Sequence, residues 1–294
     1  MNKKNIFYLL ILIIIFSIFI LISINNIEKF ENINLTIQSS AGGGFFSNFN
    51  KLITYLVDNP TITKITYDMR SHGPQNAFSY IKENEELFSK IFDIYDEGVE
   101  TTKSIVSSDY QSLRITGEEA FNFYNENRNK LEPFNKAYTK YIIIKPDIQN
   151  KININVDRLK RNADQIIGIF IRSNALANEQ PSKKMPSHEE YVNAINNIKK
   201  SKNIKYFFCI DNQDDLEYFK KLYKPHYFTD IRRTSNTNDG EPHTKTIGTL
   251  DDLEKSFIEV CIMSQCDILV HCVSNMVTAS LYMNMNQQSV CVSK

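Results

Sequence analysis

The chain has 294 residues, and its 34 basic and 34 acidic side chains leave a formal net charge of zero. That balance excludes a general polyanion binder, and no basic-aromatic interleaving points to nucleic acid. Apolar residues make up 42% of the chain, and their runs recur regularly enough to specify one large or two small folded domains.

The first stretch stands apart from the rest. No charge occurs from Ile6 to Ile24. At ~1.5 Å per residue a helix of that length reaches about 28 Å, close to the hydrocarbon thickness of a bilayer. Lys3 and Lys4 precede it, and Glu28, Lys29 and Glu31 are the first charges after it. The positive-inside rule keeps the short N-terminus in the cytoplasm and puts the remainder across the membrane. A cleaved signal peptide has a shorter apolar region and a small-residue cut site, and no such site stands out. Residues 1–28 therefore read as a cytoplasmic tip and an uncleaved signal-anchor transmembrane helix. The protein is expected to be single-pass and type II, with its main part in an ER- or Golgi-type lumen or another extracytoplasmic space.

Ile33–Gln38 reads as a strand, Phe46–Val57 as a helix and Thr63–Asp68 as a second strand, which together open a βαβ unit. Between the first two lies Gly42-Gly43-Gly44. Gly43 and Gly44 either let the backbone approach a ligand at a helix N-terminus or simply make a tight turn; the run matches neither GxGxxG nor the P-loop. Asp68 ends the second strand, and His72 lies in the polar loop Arg70–Pro74; both either line a cleft or belong to an ordinary loop. Ile81–Tyr141 is mostly helical by composition. Lys145-Pro146 breaks the pattern, and Ile148–Arg161 reads as the next helix.

From Ile166 the alternation is clear. Strands are predicted at Ile166–Ile171, Tyr206–Ile210, His226–Thr229, Ile268–Val273 and Ser289–Val292. Ser187 and Glu190 make a capping box that opens one helix. Others are predicted at Asp214–Leu222, Leu250–Cys266 and Val277–Met285, and Arg232–Pro242 reads as a polar loop. Strands alternating with helices argue for an α/β fold with a mostly parallel sheet covered on both faces. In such a sheet all carboxyl ends share one edge, where ligands bind. Arg172, Asp211, Ser274 and Asn275 collect there. A guanidinium at a strand end offers a planar fork of donors suited to a diphosphate. Taken singly, Arg172 is equally a surface charge, and Asp211 and Ser274 are helix caps; the set of four points to a ligand.

Other chemistries lack their residues. The five histidines show no metal-ligand spacing, and there is no GxSxG elbow. No Asp-x-Asp triplet occurs, which disfavours glycosyl transfer through a metal-held pyrophosphate. The five cysteines all lie in the last third without CxxC spacing, in apolar stretches where a thiol behaves as a small hydrophobe.

The second half of the chain resembles the donor-binding domain of the GT-B fucosyltransferases, most of all the α1,6-fucosyltransferases, with nodulation and protein O-fucosyltransferases further off. Four elements carry the resemblance in order. They are Lys145-Pro146 with the helix after it, Gly168-Ile169-Phe170-Ile171-Arg172, Ser187-His188-Glu189-Glu190-Tyr191, and Ile210-Asp211-Asn212 followed by Glu259, Met263-Ser264-Gln265-Cys266-Asp267 and Ser274-Asn275. The resemblance implies two Rossmann-like domains: residues 29–145 on the acceptor side and 146–294 binding the nucleotide sugar. It implies GDP-fucose as donor, no cofactor and no metal, inversion at the anomeric carbon, and a glycan or glycoprotein hydroxyl as acceptor. Arg172 would bind the pyrophosphate and stabilise the leaving GDP. Glu259 aligns with the acidic residue that reads guanine, against the plainer reading of a solvated helix residue. Tyr191, Asp211, Ser274 and Asn275 match donor-pocket positions, and Glu179 is the nearest counterpart of the catalytic base. The chain also departs from the family. Phe170 and Ser173 replace a His and the second Arg, Ala175-Leu176 replaces Asp-Lys, and Asn275 replaces the second Ser. These departures leave two alternatives open: an inactive nucleotide-sugar- or glycan-binding relative, or a transferase using another nucleotide sugar.

Overall fold

The computed structural model describes residues 33–38, 45–59, 62–68, 88–94, 103–107, 128–172, 185–231, 233 and 249–292, with the strands at 33–38, 62–68 and 103–107 given by backbone alone. The run Ile6–Ile24 lies outside these residues. Among the described residues no helix is long and apolar enough to cross a membrane.

The chain opens with β1 (Ile33–Gln38), α1 (Phe45–Asp58) and β2 (Ile62–Asp68), the βαβ unit expected from the sequence. Next come α2 (Phe88–Ile91), β3 (Phe92–Ile94) and β4 (Lys103–Ser107), then a 3₁₀ turn at Arg128–Leu131, α3 (Glu132–Tyr141) and β5 (Ile142–Ile144). Strands β2, β1 and β4 form a parallel three-stranded sheet in that order, and β3 pairs antiparallel with β5. Of the described residues in Ile81–Tyr141 most are helical, as expected, but β3 and β4 are strands that the helical reading missed. Composition there favours helix, but Ile105 and Val106 are β-branched, and β4 is a strand because β1 offers it a free edge far away in sequence.

The next helix, α4 (Pro146–Lys160), starts two residues before the expected Ile148 because Pro146 occupies its first turn, where a missing N–H costs nothing. Its buried face is Ile148, Ile152, Val156 and Leu159. Ile154 points to solvent.

The second sheet follows: β6 (Gln165–Ile171), α5 (His188–Asn197), β7 (Ile204–Ile210), α6 (Gln213–Leu222), β8 (Pro225–His226), α7 (Leu250–Ser264), β9 (Ile268–His271), α8 (Asn275–Met283) and β10 (Gln288–Cys291). Its order is β10-β9-β6-β7-β8, and every neighbouring pair is parallel. Of the three interior strands, β6 and β9 are buried almost throughout and β7 over its last four residues, as a sheet covered on both faces requires. Only β8 falls well short of its expected extent. Gly168 in β6 is set by packing: a Cβ there would lie 3.1 Å from both Cys266 Sγ and Leu269 Cδ1.

The two parts of the chain share a core. The Phe257 ring of α7 lies edge-on to Phe45 and Phe49 of α1, with centroids 6.2 and 6.4 Å away, and against Phe92 of β3 at 6.1 Å. Helix α1 also packs against α3 and α8.

Candidate functional site

The all-parallel second sheet places every carboxyl end on one edge. Register then fixes who meets whom. Ile171 is opposite Ile210, and Phe170 is opposite His271. One residue further along each strand, Arg172 lies between Asp211 on one side and the Cys272 segment on the other. Arg172 is half-buried. Its backbone hydrogen-bonds the Cys272 thiol. Burial raises the pKa of that thiol, and the Arg172 charge opposes the rise.

Asp211 is also half-buried. Its charge reaches the Tyr191 phenol, the Cys272 thiol, the Asp215 carboxyl and Glu259. It is not the cap of α6. Asn212 takes that role, its Oδ1 accepting from the N–H groups of Asp214 at 2.8 Å and Asp215 at 3.1 Å. The capping alternative for Asp211 is therefore corrected by one position. Asn212 is the buried residue of the two, and a neutral amide loses less on burial than a carboxylate.

Ser274 is the N-cap of α8 and accepts from Met276 N–H at 3.3 Å. Asn275 begins that helix at an exposed position. It is tied to the first part of the chain: the buried Asn50 of α1 donates from Nδ2 to the Asn275 carbonyl at 2.9 Å and to its Oδ1 at 3.4 Å. Tyr191 is almost fully buried in α5, one turn beyond the Ser187–Glu190 capping box, and its hydroxyl faces the Cys272 thiol. Burial pushes its phenol well up.

A second cluster lies against the end of β7. Glu259 in α7 is 4% exposed, so the solvated-residue reading is corrected; α7 is buried around most of its circumference at that turn. Cys209 Sγ donates to Glu259 Oε2 at 3.2 Å. Burial pushes the Glu259 carboxyl up to about 7, the Cys209 bond and the Arg233 charge draw it down, and Asp211 raises it. Arg233 Nη2 lies 3.9 Å from Glu259 Oε1. The same guanidinium donates from Nε to the Ile210 carbonyl at 2.9 Å and from Nη1 to the Ile231 carbonyl at 3.3 Å, and it lies over the Tyr227 ring.

Sequence reasoning missed Arg233, Cys209 and Asn50 as parts of this region. Arg233 lay in a segment read only as polar loop, and neither periodicity nor spacing marks it. Glu179, Gly43, Gly44 and His72 lie outside the described residues. Asp68 ends β2, paired in register with Gln38, and its side chain is not among those described.

No protein-family model and no curated relative matches the sequence. Solved structures do match in shape. A NodZ α1,6-fucosyltransferase soaked with GDP-fucose aligns over 86% of this chain and 93% of its own, at 12% identity and a TM-score of 0.50. The fucosyltransferase NodZ from Bradyrhizobium aligns over the same shares at 14% identity, also with a TM-score of 0.50. Over most of both chains, then, this chain shares the α/β fold of the NodZ fucosyltransferases.

Proposed function

We propose that the protein is a glycosyltransferase that takes fucose from GDP-fucose and transfers it to a hydroxyl of a glycan or glycoprotein. One observation carries the reading. Arg172 and Asp211 follow adjacent strands on the carboxyl edge of a parallel sheet, and the Asp211 charge reaches a buried carboxyl at Glu259, in a chain that shares the fold of an enzyme soaked with GDP-fucose.

Residues 146–294 would form the nucleotide-sugar domain and residues 29–145 the acceptor side of a two-domain enzyme. Arg172 would grip the diphosphate through its fork of donors and stabilise the charge that grows on it. The acceptor oxygen forms a bond to the anomeric carbon as the bond from that carbon to the diphosphate oxygen breaks, with inversion. The hydroxyl proton passes to a base, for which the resemblance offers Glu179. With no Asp-x-Asp in the sequence, the leaving group is neutralised by protein cations and no metal is required. The apolar run Ile6–Ile24 would anchor the enzyme as a type II membrane protein with its catalytic part lumenal or extracytoplasmic.

A second reading has its own support. Ser173 and Ala175-Leu176 stand where the family carries Arg and Asp-Lys, so the chain would bind a nucleotide sugar without turning it over. A thermal-shift panel of GDP, UDP and CMP decides the nucleotide, since a ligand that binds the native state raises its melting temperature. GDP alone is expected to stabilise, and a shift with UDP but not GDP would eliminate the fucose donor. Release of GDP from GDP-fucose in the presence of an acceptor glycan then separates the enzyme from the inactive binder.

A further inference from the structure

The Arg233–Glu259 contact is incomplete as an ion pair. Arg233 Nη2 and Glu259 Oε1 are both buried, and neither has a hydrogen-bond partner. They face each other at 3.9 Å, with side chains 2% and 6% exposed. The other atoms of both groups are engaged: Nε and Nη1 on the Ile210 and Ile231 carbonyls, and Oε2 on the Cys209 thiol. Leaving a buried donor and a buried acceptor unsatisfied costs on the order of 1–3 kcal/mol each, and more for charged groups. Here the two orphaned atoms fall within one contact, beside the strand end that carries Asp211, and stand ready for a third party.

That third party must present an acceptor to Nη2 and a donor to Oε1, side by side. A ring carbonyl adjacent to a ring N–H does so. Guanine carries this pair as its C6 oxygen and N1–H, and its exocyclic amine adds a second donor on the carboxylate side. Adenine reverses the pattern, turning an amine toward the guanidinium and a lone pair toward the carboxylate. Uracil has the carbonyl and N–H pair but no amine beside it.

We infer that Arg233 is a specificity-determining residue of the donor site: its Nη2 reads the C6 carbonyl of the guanine base while Glu259 Oε1 takes the neighbouring N–H. The inference rests on the GDP-sugar reading above and adds a cation to it. The Nε bond to the Ile210 carbonyl fixes the guanidinium plane at the end of β7, immediately before Asp211, so base and diphosphate are read from adjoining residues.

The test measures dissociation constants of GDP, 6-thio-GDP, ADP and UDP for the full-length protein and for Arg233→Met. Replacing the C6 oxygen by sulfur keeps N1–H and the amine but leaves a poor acceptor. A charge-assisted hydrogen bond predicts that the unaltered protein prefers GDP to 6-thio-GDP about tenfold or more, and that Arg233→Met removes the preference. Tight GDP binding with equal affinity for 6-thio-GDP overturns the role of Arg233 and leaves the GDP-sugar reading standing, with no variant needed. Tighter binding of UDP than GDP overturns the GDP-sugar reading and, with it, the assignment to guanine. If Arg233→Met does not fold, Arg233→Lys replaces it in the cycle. It keeps the charge but loses the fork, so the preference is expected to shrink, and an unchanged preference in that variant also counts against the proposal.

Discussion

Glu259 and Arg172 show how little a residue's identity says about its role until its surroundings are fixed. Burial holds the Glu259 carboxyl near 7, against 4.5 for an ordinary glutamate. Between those values the native protein keeps a proton that the unfolded chain gives up. Stability from this group is therefore greatest at acid pH and is lost as pH rises through about 7. Over that window the loss is on the order of 3 kcal/mol. Urea titrations from pH 5 to 8 are expected to show this slope in the unaltered protein and a flatter one in Glu259→Gln; identical slopes would remove Glu259 as the source. Donor affinity should move the other way, since the base needs the ionised carboxylate as acceptor. At the rim, Arg172→Ala is expected to abolish transfer with little change in melting temperature, because the half-buried side chain lies where the strand has already ended. Full turnover in that variant would dismiss the diphosphate clamp.

At the scale of elements, the site depends on β6 lying close to β9 and to the turn after α7. Gly168 permits that approach. Gly168→Ala would push the Cys266 thiol and the tip of Leu269 aside, an overpacking that costs about 1–3 kcal/mol. Leu269 Cδ1 is a side-chain end, but Cys266 Cβ, 3.3 Å away, moves only with its backbone, so a loss within that range is expected by chemical denaturation. A gain in stability would mean the strands have slack that the register does not suggest. The caps set positions just as tightly. Asn212 and Ser274 hold the first turns of α6 and α8, and this fixes Asp211 and Asn275 on the rim beside them.

Across the whole molecule, the aromatic cluster around Phe257 joins α7 to α1 and β3, and the Asn50–Asn275 bonds join α1 to the edge of the proposed donor site. The parts of the chain on either side of Lys145 are therefore coupled through packing. Phe257→Ala is expected to cost about 3–5 kcal/mol. Hydrogen exchange should lose protection over Phe45–Asp58 as well as over Leu250–Ser264. Loss confined to α7 would show that the two parts unfold independently.

The second sheet was legible in the sequence because β6, β7 and β9 are short apolar runs bounded by polar residues, and such runs can be buried on both faces in only one kind of layer. Parallel order then put Arg172 and Asp211 on a common edge without any knowledge of packing. In the first part β1 and β2 were legible too, but β3, β4 and β5 were not: they are short, and β4 is a strand because β1 lies beside it. The buried pair was beyond reach altogether. Glu259 and Arg233 are ordinary charged residues in a helix and a polar stretch, 26 positions apart. Local pattern sets which elements form and which way they run. Only tertiary packing decides which charges lose their water, and that loss of solvent leaves a glutamate and an arginine with the unmet acceptor and donor on which the guanine proposal rests.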